Sequence, residues 1–107
     1  MLPKKNRADK KAIDRIFKEG RFLNSPSLSF KYTKVAGGEP RISFIVPKST
    51  AKLAVKRNAL RRLGYLALSK QEKKLPKGLT GAFVFKKYQD NNETLKNEIE
   101  TILSKIN

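Results

Sequence analysis

Apolar and polar residues alternate along two stretches in the first half of the chain, from Ser27 to Lys34 and from Arg41 to Pro47. Because successive side chains of a β-strand point to opposite faces, this alternation predicts two strands that each have one apolar face. Gly37 and Gly38 lie between them and indicate a hairpin connection. The apolar positions are Leu28, Phe30 and Tyr32 in the first strand and Ile42, Phe44 and Val46 in the second.

Three other segments have apolar residues three or four positions apart, which is the spacing of one helix face. The first extends from Asp9, a residue type that caps helices, to Glu19, and the last extends from Glu93 to Ile106. The longest extends from about Lys52 to about Lys73, and Ser49 or Thr50 can start it. The apolar sector of this central helix is predicted to consist of Val55, Ala59, Leu60, Leu63, Leu66 and Ala67.

Two further strands complete the predicted set, a short one at Arg21–Asn24 and a buried one at Ala82–Lys87. The order of elements is then α-β-β-β-α-β-α. It predicts an α+β sandwich in which helices pack on a single four-stranded sheet. A chain of 107 residues is too short for two stable cores, so we expect one domain over residues 1–107.

Composition excludes several kinds of catalytic site. The chain has no cysteine and no histidine, and 25 lysines and arginines against nine acids give it a net charge of +16. It therefore lacks disulfides, thiolate metal ligands and the commonest general base, and its charge favours a polyanion such as nucleic acid. From Pro40 to Gln71 there is no acid, an asymmetry that a merely soluble surface does not need.

The central helix has its cations on neighbouring ridges. Arg57 and Arg61 are four residues apart, as are Asn58 and Arg62, and we expect all four to lie opposite the apolar sector. Like charges at this spacing weaken a helix, a penalty that phosphate groups would remove. Guanidinium groups can grip phosphate oxygens with two hydrogen bonds, and an amide can meet a base edge or a ribose hydroxyl. The alternative is the ordinary charged outer face of an amphipathic helix.

The segment RISFIVPKSTAKLAVKRNALRR resembles the centre of the bacterial ribonuclease P protein family, in which a strand and a Ser-Lys-Lys-like turn lead into a helix bearing Arg-Asn-Arg and then Lys-Arg. The opening LPKKNR and the segment IFKEG resemble the start of that family, and the order of elements matches over essentially the whole chain. There are three departures. Ala59 replaces the second motif arginine, Pro47 replaces a small polar residue, and Gly64 lies inside a helix.

The resemblance implies the protein component of an endoribonuclease that removes the 5′ leader of precursor tRNA. It implies that the RNA subunit performs the hydrolysis with Mg²⁺, and that the protein has no catalytic residue and binds no metal itself. The partners are then the catalytic RNA and precursor tRNA, with no obligate protein partner. It also implies a left-handed crossover between parallel strands, against the usual right hand.

Two sets of residues are predicted to bind RNA. The set for the catalytic RNA is Arg57, Asn58, Arg61, Arg62, Lys48, Lys52, Lys56 and Arg7. The set for a leader-binding cleft between the first helix and the sheet is Phe17, Phe30 and Tyr32. Aromatic rings suit such a cleft because unpaired bases stack on them with little sequence preference. For Phe30, a place in the core is an equal alternative.

Other classes of function fit the sequence less well. A ribosomal or other structural RNA-binding protein remains the main alternative, since composition does not distinguish it. An independent nuclease would need clustered carboxylates for its metals, and a DNA-binding domain would be expected to have a helix-turn-helix or zinc pattern. No apolar run approaches the ~20 residues of a membrane span. The start MLPKKNRADKK is unlike a signal peptide, so we expect a cytoplasmic location without membrane association.

The charge distribution predicts RNA binding that weakens steeply with salt. If about six phosphates are neutralised, the logarithm of the association constant should fall with the logarithm of salt concentration at a slope of roughly −4 to −5. Titration of the protein with its catalytic RNA at several salt concentrations measures this slope. A slope near zero would show that the cations do not contact phosphates.

Overall fold

The computed structural model describes residues 16, 18, 20–34, 40–71 and 75–106. Within them lie four strands and two helices: β1 (Arg21–Asn24), β2 (Leu28–Lys34), β3 (Arg41–Ile45), α1 (Ala54–Ser69), β4 (Leu79–Phe85) and α2 (Asn92–Ser104). Ile16 and Lys18 are helical, as predicted for the first helix, and the rest of that prediction lies outside the described residues.

The four strands form one mixed sheet in the order β1-β2-β4-β3. β2 pairs antiparallel with β1 and with β4, whereas β3 runs parallel to β4. α1 joins these two parallel strands, so the β3–α1–β4 unit is a crossover connection. The predicted α+β architecture is confirmed, and the left hand of the crossover stays a prediction.

One face of the sheet forms the core together with both helices. The register aligns Phe30, Phe83 and Phe44 in a row across three strands, and their rings stack with centroids 4.2 and 5.0 Å apart. Stacked aromatic rings contribute large buried areas, so this row is the centre of the apolar cluster. Two other buried apolar residues, Ile16 and Ala82, lie outside that cluster. Ala82 belongs to the second face of the sheet, because it neighbours Phe83 along β4.

α1 approaches β3 closely because residue 64 has no side chain. A methyl group at Gly64 would lie 2.5 Å from Cδ1 of Phe44, well inside van der Waals contact. The next residue, Tyr65, packs its ring edge-to-face on Phe44 at 5.0 Å, and its hydroxyl accepts a hydrogen bond of 3.3 Å from the Phe44 amide. This bond satisfies an amide on an edge strand, where unpaired backbone groups invite wrong pairing. Gly64, which is unusual within a helix, therefore has a packing role.

The start of α1 differs from the prediction. Thr50 does not cap the helix; its hydroxyl donates to the carbonyl of Phe85 at 2.8 Å. The amides of Thr50 and Ala51 both donate to the carbonyl of Pro47 in a turn that delays the helix. The helix consequently begins at Ala54 after Leu53, and no side chain caps it.

The buried face of α1 was also predicted incorrectly in part. Val55 is 71% exposed, Leu66 is 45% exposed and Ala59 is exposed as well, so half of the predicted apolar sector faces solvent. The residues that α1 buries are Leu60, Gly64, Tyr65, Ala67 and Leu68. The helix also ends at Ser69, earlier than predicted. The spacing of apolar residues did not predict this buried face correctly, because Gly64 lies at the contact with the sheet and glycine counts as neither apolar nor polar.

The remaining elements are close to their predicted positions. β4 begins at Leu79, three residues before the predicted start, because it pairs with β2 along the full length of that strand. α2 begins one residue early, and its N-cap Asn91 accepts a hydrogen bond of 2.9 Å from the amide of Thr94.

A buried carboxylate fixes the β1–β2 turn to α2. Glu98 is 7% exposed, and its Oε1 accepts hydrogen bonds from the hydroxyl of Ser25 at 2.5 Å and from the amide of Ser27 at 2.7 Å. A buried charge is costly without such partners, so these two bonds hold the turn in place.

The contact between Gly64 and Phe44 predicts the effect of adding one methyl group. Gly64→Ala should gain up to ~1 kcal/mol of helix propensity, but overpacking a core costs about 1–3 kcal/mol. We expect a net loss of about 1 kcal/mol in the free energy of unfolding, measured by urea titration. In a Phe44→Leu background the same change should be neutral or stabilising. An increase in stability with Phe44 present would contradict the close contact.

Candidate nucleic-acid interface

The loops after the two parallel strands meet at one edge of the sheet. β3 ends at Ile45 and β4 ends at Phe85, and carboxyl ends of parallel strands lie at the same edge. The hydrogen bond from Thr50 to the Phe85 carbonyl joins the two loops, residues 46–53 and 86–91. The amide of Lys86 also donates to the carbonyl of Ser27 at 2.8 Å, which brings the β1–β2 turn to this edge.

Five exposed lysines surround this junction, and we call them the cationic edge: Lys48, Lys52, Lys56, Lys86 and Lys87. The two loops contain one acid, Asp90. The start of α1 adds to the positive potential, because its first turn has no acidic residue and no side-chain cap. Such an arrangement favours phosphate groups, as expected for a surface that binds nucleic acid.

The two ridges of α1 differ in what they contact. Arg57 is half-buried, and its Nη1 donates to the carbonyls of Ala51 and Lys52 at 3.0 and 2.7 Å. Arg57 thus fixes the turn before the helix as well as contributing charge. The expectation that it lies opposite the buried face is wrong, because it is three residues before the buried Leu60 and seven before the buried Gly64.

Further along α1, Arg61 is half-buried and its Nη2 donates to Oδ1 of Asn58. The expectation is therefore wrong for Arg61 as well, because it lies three residues before the buried Gly64 and four before the buried Tyr65. Asn58 and Arg62 are exposed, so the ridge that these two form faces solvent as predicted. The amide oxygen of Asn58 is engaged by Arg61, which leaves its NH₂ group as the donor that an RNA acceptor can meet. Asn58, Arg61 and Arg62 lie on the same helix as Lys56 of the cationic edge, whose other lysines lie in the two loops.

Of the predicted leader-binding residues the structure describes Phe30 and Tyr32, whose rings stack on each other. Phe30 is fully buried, and its ring stacks between Phe83 and Tyr32, so the core alternative holds for this residue. Tyr32 is half-buried at the margin of the core. Phe17 and the predicted RNA-binding residue Arg7 lie outside the described residues.

A pocket of about 380 Å³ opens beside Tyr32. It is lined by Arg21, Tyr32, Thr33, Lys34 and Ile106. Arg21 is paired with Tyr32 across β1 and β2, and both Arg21 and Lys34 are exposed. A half-buried aromatic ring between two cations can accept a base and its flanking phosphates.

Sequence patterns did not reveal two exposed aromatic residues. Phe22 is 63% exposed and pairs with Lys31, on the face of the sheet opposite the core. Tyr88 is 47% exposed and follows the last residues of the cationic edge. The predicted strand extended to Lys87, but β4 ends at Phe85. Lys86, Lys87 and Tyr88 therefore belong to a loop and not to the strand. Strand patterns alone do not show where a strand leaves its sheet.

Other chemistry is not visible in the part of the chain that the structure describes. Within these residues, no three acidic side chains lie together in a way that could hold a metal ion. The described helices are also too short or too polar to cross a membrane.

The sequence and the fold both match known proteins. The Ribonuclease P family model matches residues 2–107. The fold is similar to the RNase P protein of Staphylococcus aureus (TM-score 0.78, 17% identity, 94% of each chain) and to that of Thermotoga maritima (TM-score 0.77, 21% identity, 86% of this chain and 88% of that one). A S. aureus variant with defective mRNA degradation activity matches with a TM-score of 0.82 and 18% identity, over 96% of this chain and 89% of that one. No curated protein matches the sequence.

At these identities the solved structures show a shared fold, and the sequence model, which extends over nearly the whole chain, shows the family. The fold of the described residues, a four-stranded sheet that contains the β3–α1–β4 unit, is consistent with this family. The chain belongs to the Ribonuclease P family.

Proposed function

We propose that the chain is the protein subunit of a ribonuclease P ribonucleoprotein, which removes the 5′ leader of precursor tRNA. The observation that carries this proposal is the family match over residues 2–107, on a chain whose basic helix α1 continues into an exposed cationic edge. In this role the protein binds the catalytic RNA through that surface and meets the precursor's leader elsewhere. Reconstitution with the catalytic RNA at low Mg²⁺, followed by precursor cleavage, tests it directly.

The proposal assigns the chemistry to the RNA partner. Mg²⁺ would enter with the RNA, whose phosphates are oxygen ligands of the kind that this ion prefers. The protein's contribution is then to lower the repulsion between two RNAs and to position the leader. A protein with no histidine and nine acids suits this division. The cytoplasmic location expected from the sequence stays a prediction.

We assign contact with the catalytic RNA to Asn58, Arg61 and Arg62, together with the cationic edge. These side chains lie on α1, on the loop before it and on the loop after β4, and the hydrogen bond from Thr50 to the Phe85 carbonyl connects the two loops, so they can meet several phosphates without rearrangement. Arg57 stabilises the turn before this surface, because its guanidinium donates hydrogen bonds to the carbonyls of Ala51 and Lys52. A ribosomal RNA-binding role would use the same surface, and copurification of tRNA-processing RNA rather than ribosomal RNA distinguishes the two.

We assign contact with the unpaired leader to Tyr32 and the pocket around it. The ring stacks on Phe30 at 5.4 Å, is half-buried and lines the pocket. Arg21 and Lys34 line the same pocket and can neutralise the phosphates that flank a stacked base.

Removal of one exposed cation should weaken assembly in a salt-dependent manner. Arg62→Ala should lower the affinity for the catalytic RNA and make the slope of log affinity against log salt shallower by about 0.9, since one phosphate contact is lost. Lys77→Ala removes an equal charge at the opposite end of β4 and serves as the matched control. Filter-binding titrations at several salt concentrations measure both. If the slope of log affinity against log salt is the same for Arg62→Ala and the parent, Arg62 does not contact the RNA.

Loss of the Tyr32 ring should affect substrate choice and leave assembly nearly unchanged. Tyr32→Ala should reduce the holoenzyme's preference for precursor over mature tRNA by about 1–3 kcal/mol, the contribution of one stacked base. Affinities for both tRNAs at fixed salt and Mg²⁺ measure the preference, and Tyr32→Phe should retain it. Urea unfolding controls for the contact with Phe30. A folded Tyr32→Ala variant that discriminates as well as the parent would contradict the pocket assignment.

A further inference from the structure

The exposed aromatic ring of Tyr88 lies within the cationic edge. Its side chain is 47% exposed, and Nζ of Lys56, on the first turns of α1, lies 5.8 Å from the ring centroid. Single exposed aromatic residues are common on protein surfaces and need no special explanation. Tyr88 differs from such residues in its surroundings, because it directly follows Lys86 and Lys87 and faces the start of the basic helix.

The loop that carries Tyr88 is short and is held at both ends. On the β4 side, the Lys86 amide donates to the carbonyl of Ser27, and the Phe85 carbonyl accepts from Thr50. On the α2 side, the Asn91 amide donates to Oε1 of Gln89, and Asn91 itself caps the helix. The five residues between Phe85 and Asn91 therefore have little freedom, so the ring is presented to solvent at small entropic cost.

The chemistry around the ring matches that of single-stranded RNA. Proteins bind unpaired nucleic acid by combining cations that follow the backbone with aromatic rings on which bases stack. A cation–π contact at an exposed site is weaker than base stacking, so Lys56 can shift from the ring to a phosphate when a base arrives. The phosphates of a duplex would contact the lysines equally well, but its paired bases would not stack on the Tyr88 ring.

We infer that Tyr88 and Lys56 form a subsite for one unpaired nucleotide of the RNA partner. The Tyr88 ring stacks on the base, and the Lys56 ammonium meets the adjacent phosphate. This inference rests on the proposed function and adds to it a place where the catalytic RNA presents an unstacked base. The subsite is separate from the Tyr32 pocket. Tyr32 pairs with Gly81 of β4, whereas Tyr88 lies seven residues later in the chain, beyond the end of that strand at Phe85.

The test compares loss of the ring with loss of the charge. Tyr88→Ala should lower the affinity of the full-length protein for the catalytic RNA roughly 5- to 150-fold, as for one lost stack, without changing the salt slope. Tyr88→Phe keeps the ring and should bind as the parent does. Lys56→Ala should make the slope shallower by about 0.9. Phe22→Ala removes an exposed ring from β1, away from α1, and should leave affinity unchanged.

A tryptophan at the same position reports stacking directly. The chain contains no tryptophan, so Tyr88→Trp introduces a single indole whose fluorescence should be quenched when the catalytic RNA binds. Phe22→Trp is the matched reporter and should keep its emission. Quenching at position 88 alone, together with the Tyr88→Ala result, supports the subsite.

Three results would overturn the inference. Parental affinity of a folded Tyr88→Ala variant would show that the ring is not used. A shallower slope in Tyr88→Ala, equal to that of Lys56→Ala, would show that the ring only positions the lysine. Weak, salt-independent binding by the parent protein would instead remove the proposed function itself, and the subsite with it.

Discussion

The close approach of α1 to the sheet is the contact on which the rest of the structure depends. Gly64 lies against the ring of Phe44, and Tyr65 adds an edge-to-face contact and a hydrogen bond to the same residue. Phe44 stacks in turn on Phe83 at the centre of the core. The Phe44 ring is thus held between α1 and Phe83, and this fixes the rotation of α1 about its own axis. The rotation of the helix decides which of its cations face solvent.

The fixed rotation divides the basic residues of α1 into two groups. Arg57 and Arg61 flank the buried face and make hydrogen bonds within the protein, whereas Asn58 and Arg62 face solvent. The first turn of α1 has no side-chain cap, so this end of the helix favours an anion. The helix is thus less stable at its start than a capped one, and an RNA partner would offset that deficit.

The loops at the carboxyl edge of the parallel strands combine charge with rigidity. Hydrogen bonds from Thr50 and Lys86 join three loops there, and the buried Glu98 fixes the turn that Lys86 contacts. A preorganised surface of this kind would pay only a small ordering penalty on binding an RNA partner. It brings Tyr88 beside α1, although 31 intervening positions separate Tyr88 from Lys56 in the sequence. The basic helix and an aromatic ring therefore belong to one surface.

The sequence alone determined the fold class, the order of elements and the position of the basic helix, because strand alternation, helical spacing and unbalanced charge are local patterns. It left open whether Phe30 belonged to the core, and it placed Arg57 and Arg61 on the wrong side of their helix. It also gave no sign that Tyr88 would lie beside α1. The positions of these side chains depend on how α1 packs on the sheet and where β4 ends. Both are set by contacts between residues distant in the chain, such as Gly64 with Phe44 and Thr50 with Phe85, which no local pattern contains.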